Sequence, residues 1–338
     1  MKNNKDKNLQ DLRYAVTGAT GYVGKRLLAH LRDKGAAASV LIREASLDGV
    51  EISSDHSIVV GDLSDTEALR RLIADSDVVF HLAAYVHKPT NTPGQKAQCF
   101  EVNYEGTKRL LDACLACKEP PFVVLFSTVS VYGEKDQPFR EDMECKPETT
   151  YGETKLLAER YFQELQNATE LKGCILRPSA IIGAEAPGNL LQLVKLIKLG
   201  IFPYFNRGRN RKSLTHVENI VDGAMLTIKN QTVSDGEIYN ISNNEPITLF
   251  EMGMIVAKGL GKNPVSINLP KKPFFWAASM LDRGMQFFSK DTRSFVRRLN
   301  VYTSEDIVST EKITGQLGYQ PKISIEEGLT CMAAAYRE

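Results

Sequence analysis

Tyr151 and Lys155 stand four residues apart in TTYGETKLLAE, a segment that reads as the opening of a helix. Spacing of four puts both side chains on one helix face, one turn apart. A phenol with a solution pKa of about 10 is a poor proton carrier at neutral pH, and a nearby ammonium favours its ionised form. Such a pair makes a tyrosine into a working acid or base. The same two residues on an exposed helix would be ordinary surface groups, so a third element is needed. The apolar run Phe122 to Phe126 ends in Ser127-Thr128, which sets Thr128 at the carboxyl end of a strand, where ligands bind in open α/β sheets. Its hydroxyl can hydrogen-bond the same substrate oxygen that Tyr151 protonates.

A second constellation lies near the start of the chain. Gly18, Gly21 and Gly24 fall in TGATGYVG, directly after the apolar stretch Leu12 to Val16 and at the head of a helical pattern from Tyr22 to Lys34. A strand that enters a glycine-rich turn and passes straight into a helix aims backbone N–H groups and the positive helix end at one point, where a pyrophosphate can sit. Gly18 permits the tight turn, Gly21 lets phosphates approach the backbone, and Gly24 lets the helix lie close to the strand. Gly18, Gly21, Tyr22, Val23 and Gly24 are therefore expected at a dinucleotide. A lone three-glycine motif also occurs in plain surface turns, so the surrounding elements decide. Gly35 reads as the helix stop. Strands are legible at Ala38 to Ile42, Ser57 to Val60, Asp77 to His81, Phe122 to Ser127 and Gly173 to Leu176. Between them run helical patterns at Asp65 to Ala74, Gln95 to Cys117 and Tyr151 to Ala168. This alternation predicts an α/β fold, a Rossmann-type doubly wound parallel sheet with helices on both faces. After about Pro178 the elements shorten and Pro and Gly punctuate them more often. A nucleotide-binding domain over 1–178 is therefore expected, then a smaller α/β substrate domain over 179–338, with room for later segments to return to the first.

Composition narrows the class. The 338 residues are 43% hydrophobic, ample for a packed core, and carry a net charge of +1, which gives no global pull toward nucleic acid or anionic membrane. The N-terminal MKNNKDKNLQDLR has no apolar h-region, and no run of about 18 apolar residues occurs, so a soluble cytoplasmic protein is expected. Cys99, Cys114, Cys117, Cys145, Cys174 and Cys331 are scattered rather than framed for disulfides. Cys114 and Cys117 form a CxxC without a second pair or a nearby histidine, so buried thiols are expected and no metal.

Taken together, TGATGYVG, Gly61-Asp62-Leu63, His81-Leu82-Ala83-Ala84, Asn103 in VNYEGTKRLL, STVSVYG, Tyr151 with Lys155, Arg177-Pro178, SLTHVENIVDGA and the tail LGYQPKISIEEGL carry a resemblance to the extended short-chain dehydrogenase/reductase family, in its epimerase and reductase branch acting on nucleotide-activated sugars. The resemblance spans nearly the whole length. It implies that Asp62 and Leu63 border the adenine of a nicotinamide cofactor, that Leu82, Ala83 and Ala84 line its diphosphate and ribose, that Lys155 holds the nicotinamide ribose, and that Pro178 and Ser179 lie along the nicotinamide. Tyr151 would carry the proton and Thr128 would steady the sugar oxygen. The family's dehydratases place an Asp-Glu pair directly after the catalytic threonine, where this chain has Val129 and Ser130, which argues against 4,6-dehydration. The family also implies a homodimer, through a four-helix interface made by Gln95 to Cys117 and Tyr151 to Ala168.

Cofactor and substrate have their own signals. An acidic residue at the end of the second strand suits the ribose 2′-OH of NAD, and an arginine suits the 2′-phosphate of NADP. Arg43 falls there, so NADP(H) is favoured, while the adjacent Glu44 keeps NAD(H) open. Arg207, Arg209, Arg211 and Lys212 cluster beside Tyr204 and Phe205, in a loop that is either a solvated surface or a grip on a pyrophosphate. By resemblance, Lys212, with Arg211 beside it, and Asn189 match residues that contact a sugar nucleotide. The segment 271–290 is apolar with cationic ends, and is read as packing on its own domain, with a membrane interface as the alternative. The leading expectation is an NADPH-dependent reductase of a 4-keto UDP-sugar in surface polysaccharide synthesis. A UDP-hexose 4-epimerase with bound NAD and a hydroxysteroid dehydrogenase are the enzyme alternatives, and a non-catalytic nicotinamide-sensing scaffold is the alternative from another class. The basic loop argues against a steroid, and the retention of Thr128, Tyr151 and Lys155 against a scaffold.

Overall fold

β1 (Tyr14–Thr17) lies at the middle of the sheet, with β2 (Ala38–Ile42) on one side and β4 (Val78–His81) on the other, both parallel to it. In the computed structural model, which describes residues 8–47, 52–86, 88, 90–133, 138–188, 190–270, 273–274, 276, 279–280 and 303–337, β3 (Ser57–Val60) extends the sheet beyond β2. β5 (Phe122–Phe126), β6 (Gly173–Pro178) and the strand Ile238–Ile241 extend it beyond β4. All seven strands run parallel. The chain reverses its direction of travel across the sheet between β1 and β4, and such a switch point opens a crevice at the carboxyl ends of the strands.

Alternation along β1 sends Tyr14 and Val16 to one face and Ala15 to the other. The first face is filled by Leu27, Leu31, Phe80, Val124 and Tyr239, and the second by Leu69, Val79, Leu110, Val123 and Phe162. Each such side chain, fully buried, contributes on the order of 1.5–3 kcal/mol. Local signals set the helix starts. Asp65 caps α2 (Thr66–Ile73), Thr92 forms a capping box for α3 (Pro93–Phe100), and Thr149 caps α5 (Thr150–Ala168).

The single helix expected over Gln95 to Cys117 is α3, a π-helical turn at Glu101–Glu105, and α4 (Gly106–Leu115). After Pro178 the chain divides its elements between two cores. Ile220, Val221 and Ile228 of the helix Val217–Lys229, Ile241, and Ile313 and Leu317 of the helix Glu311–Leu317 join the first face of the sheet. The helices Leu190–Lys198, Leu249–Leu260 and Ile325–Ala334 close a separate core around Phe202, Leu214, Met252 and Met332. Among the described residues, no helix is long and apolar enough to cross a membrane.

Candidate active site

The glycine turn is built from contacts that exclude side chains. Gly18 has φ +73°, and a Cβ there would lie 2.6 Å from the Ala83 backbone nitrogen. Gly24 begins α1 (Tyr22–Asp33) so close to the turn that its Cβ would come within 2.2 Å of the Gly18 carbonyl oxygen. Gly21 donates to that carbonyl at 2.9 Å and serves as the N-cap without any side-chain acceptor, which leaves the first-turn N–H groups, including those of Tyr22 and Val23, suited to an anion. Tyr22 itself leans toward the second core, and Val23 packs on the sheet.

The neighbouring strand ends meet this turn. Leu82 and Ala83 leave β4 hydrogen-bonded to Thr17, at 3.2 Å to its carbonyl and 3.3 Å to its hydroxyl, with half-buried Ala84 following. Arg43 is the first residue past β2 and is exposed. The Gly61 N–H donates to the Ile42 carbonyl at 3.0 Å, which brings Asp62 beside it. Hydrogen bonds from Ser64 hold the Asp62 carboxyl below the usual carboxylate range, and Arg43 adds to this. Leu63 is buried against Gly106 at the start of α4. A glycine cradle, an open helix end and adjoining strand ends fit a dinucleotide, with Gly18 to Gly24 at its phosphates.

Thr128 follows β5, where its hydroxyl accepts from the Ser130 N–H and donates to the Ser130 hydroxyl, both at 3.2 Å. Tyr151, in the first turn of α5, is half-buried, and Lys155 one turn on is 2% exposed. The expected pull of Lys155 on the phenol is not what governs it. Burial, reinforced by the Cys99 thiol, pushes Tyr151 up to about 12, and only the Thr128 hydroxyl works against the rise. Burial pushes Lys155 down to about 8, against the attraction of Glu159. Desolvation outweighs pairing at both groups, so the Tyr151 phenol is protonated at neutral pH.

Residues that local reading left without a role hold this pair in place. His81 is fully buried and pushed down to about 3, hence neutral. Thr107 spends its proton on the Asn103 carbonyl at 2.7 Å, so it accepts from His81 Nε2 at 2.8 Å, and His81 Nδ1 accepts from Thr17 at 2.6 Å. Asn103, in the π-helical turn, accepts from the Tyr85 N–H at 2.6 Å and donates to Thr154 at 3.1 Å, and Thr154 donates to the Tyr151 carbonyl at 2.9 Å. One chain of hydrogen bonds thus ties the β4 exit to the helix that carries Tyr151. Below it, Arg177 makes a buried two-pronged pair with Glu159 at 3.0 and 2.5 Å and donates to Tyr132 at 2.8 Å. Two signals were present in the sequence, Asn103 within VNYEGTKRLL and Arg177 before Pro178, but neither spacing discloses its partner. Pro178 ends β6, and Ser179 turns toward the next strand, donating its hydroxyl to Ser242 at 3.0 Å.

The basic loop differs from the expected cluster of free cations. Lys212 is buried and its ammonium is held by Asp306 and, at 2.8 Å, by Ser304. Arg211 is exposed and lies 3.9 Å from Glu305. Arg207 and Arg209 are exposed. The cause is tertiary, since residues 303–309 run alongside 210–213, bridging Lys212 to Asp306. Asn189 and most of 271–290 lie outside the described residues.

The profile of the NAD dependent epimerase/dehydratase family matches residues 14–242. The chain belongs to that family. Members bind a pyridine nucleotide, and the glycine turn is where this chain's geometry suits one. The chain is similar to the N-acetyl-alpha-D-glucosaminyl-diphospho-ditrans,octacis-undecaprenol 4-epimerase of Escherichia coli O157:H7, 29% identical over 75% of this chain and 74% of that enzyme. It is also similar to the UDP-glucose 4-epimerase of Vibrio cholerae, 25% identical over 95% of this chain and 94% of that enzyme. In fold it resembles the UDP-glucuronic acid 4-epimerase of Bacillus cereus, solved with UDP-glucuronic acid and NAD, with a TM-score of 0.76, 22% identity, and coverage of 96% of this chain and 99% of that one.

Proposed function

We propose that this family member is an NAD(P)-dependent oxidoreductase acting at C4 of a UDP-activated sugar, working in the reducing direction on a 4-keto sugar in surface polysaccharide synthesis. The observation that carries the reading is the Tyr151 phenol, kept protonated by burial with Thr128 at its side at the carboxyl edge of the sheet. A bound nicotinamide supplies the hydride. Thr128 orients the ketone oxygen, Tyr151 donates its proton to that oxygen as the C4–H bond forms, and Lys155 steadies the resulting phenolate until solvent protons restore it. Arg43, exposed just beyond β2, favours NADP(H). Residues 1–178, with the segments 217–229, 238–241 and 311–317 that return to the sheet, serve as the cofactor unit and the rest of 179–338 as the sugar unit, with Arg211 and the neighbouring cations facing the diphosphate. We read the protein as a cytoplasmic homodimer through the helices of Gln95 to Cys117 and Tyr151 to Ala168, along which Tyr104 of the π-helical turn, Leu115 and Tyr161 are half-buried.

A second reading, 4-epimerisation with retained NAD, is favoured by the E. coli and V. cholerae relatives. It uses the same three residues, with Tyr151 first accepting and then returning the proton. One experiment separates the two. The purified protein is analysed for bound nucleotide, then given a UDP-4-keto-6-deoxy-N-acetylhexosamine with NADPH or NADH, and separately UDP-glucose and UDP-N-acetylglucosamine without added cofactor. Stoichiometric NADPH oxidation with the keto sugar supports the reductase. Copurified NAD with interconversion of the hexose epimers overturns it in favour of the epimerase.

A further inference from the structure

The strands Ile201–Phe205 and Val265–Leu269 form a two-stranded parallel ribbon, Val265 beside Ile201 and Ile267 beside Pro203. One face is core: Phe202 is fully buried in the second cluster, so close to the helix Leu249–Leu260 that a Cβ on Gly253 would strike its ring. The other face, one residue over in the alternation, carries Ile201, Val265 and Ile267 into solvent, with Leu199 just ahead. Leu199 is 75% and Val265 67% exposed. At the carboxyl end of the ribbon Phe274 stands edge-on to Phe205, and Trp276 is exposed two residues later. Contiguous exposed aliphatics with a tryptophan mark an interaction surface rather than ordinary solvent-facing residues.

Charge identifies the occupant. Both strands come from stretches without a single acid: Ala186 to Val217 holds six Lys and Arg, and Met252 to Leu281 holds four Lys. Lys195 and Lys198 sit in the last turn before Leu199, and exposed Lys262 comes three residues before Val265. A second copy of the same face would set cations against cations. Nucleic acid offers nothing to cover aliphatic side chains. An aliphatic face with an exposed tryptophan near its end and Lys195, Lys198 and Lys262 beside it matches the boundary of an anionic lipid layer, where the apolar groups enter the acyl edge and the lysines meet headgroup phosphates.

We propose that this ribbon is a docking face for the surface of an anionic phospholipid bilayer. The inference stands apart from the assignment of the reaction. Its consequence is positional, because the ribbon runs directly into the turn Asn206–Gly208, and docking sets the Arg207 to Arg211 loop at the headgroup level.

The test is cosedimentation of the full-length protein with vesicles of phosphatidylcholine alone or mixed with phosphatidylglycerol, at low and high salt. Wild type partitions to the anionic vesicles and is released by salt. Val265→Glu with Ile267→Glu lowers the partition coefficient at least tenfold, and Lys195→Glu with Lys198→Glu does the same at low salt, since each lysine near an anionic surface strengthens binding about fivefold. Thermal unfolding and NADPH binding, read on the same preparations, stay at wild-type values, so loss of docking is distinguishable from misfolding and from failure of the proposed reaction. Wild type that stays in the supernatant with phosphatidylglycerol vesicles overturns the proposal. So does wild-type partitioning of the Val265→Glu, Ile267→Glu variant. A change of oligomeric state in that variant without lipid also overturns it, by making the face a contact between copies.

Discussion

Two regions of the molecule are suited to phosphate, and they are made of different materials. At Gly18 to Gly24 the groups are backbone N–H donors and a helix end, fixed by contacts that leave no room for a Cβ. At Arg207 to Lys212 they are side chains on a surface turn, and distant acids compete for them: Asp306 holds Lys212 and Glu305 approaches Arg211. No side chain caps the helix end at Gly21, whereas Lys212 is claimed by a carboxylate 94 residues away. The first region is therefore written locally, and the second depends on how the chain returns.

The largest expected effect lies between the two, and it tests whether they serve one reaction. Tyr151→Phe removes the only proton the phenol can give while keeping the ring that packs beside Thr128. Turnover of the sugar substrate should fall by roughly 10²-fold or more. Dissociation constants for cofactor and for sugar nucleotide should stay near wild type, because neither phosphate region is touched. Near-normal turnover, followed at saturating concentrations of both, would show that the proton comes from elsewhere.

Lys155 gives the next effect, and its sign follows from burial. Its pKa is lowered from the ordinary 10.5 to about 8 in the fold, so the folded state holds the charge at a penalty that is fully present below pH 8. The penalty fades as pH rises toward 10.5, where the unfolded chain also loses the proton. Lys155→Met removes it. The unfolding free energy of the variant minus that of wild type should therefore shrink by roughly 2–3 kcal/mol between pH 7 and 10, whatever pH-independent packing change the methionine brings. Chemical denaturation at several pH values measures this. A difference that stays flat across the window would mean that Lys155 is paired rather than desolvated.

The same contrast explains what could be read before the structure. The parallel sheet, the glycine turn and the places of Thr128, Tyr151 and Lys155 on their strand and helix were legible, because each rests on a local pattern: apolar runs, a cap, a spacing of four. The direction of the tyrosine shift was not, since it depends on how deeply α5 sits and on Cys99 from α3, which no spacing reveals. His81 and Asn103 were visible as residues of matching stretches, yet their work of tying the β4 exit to Tyr151 is a matter of partners 26 and 51 positions away. The strand Ile238–Ile241 lacks a periodic signal long enough to separate it from the shorter elements around it, and only its pairing with β6 gives it a place.

The smallest expected effect addresses the loop directly and splits residues that the sequence had grouped. Arg209 and Arg211 are exposed, so Arg209→Ala with Arg211→Ala should raise KM for the sugar nucleotide roughly 3- to 10-fold at low salt and leave kcat near wild type, as loss of binding shared by ground and transition states does. The rise should weaken at high salt, since exposed charges are screened over about 8 Å at physiological ionic strength. Lys212→Met should behave differently. Its partner Asp306 is left without its ammonium, yet the Asp306 side chain is 39% exposed and rehydrates, so the loss of stability stays at about 1 kcal/mol or less. KM should change less than in the arginine variant. Steady-state kinetics at two salt concentrations, together with a melting curve for each variant, separate the two outcomes. If Lys212→Met raises KM as strongly as the arginine pair does, the substrate draws Lys212 away from Asp306. The loop then acts as one cationic surface, and the contrast with the glycine turn narrows to one of chemistry alone.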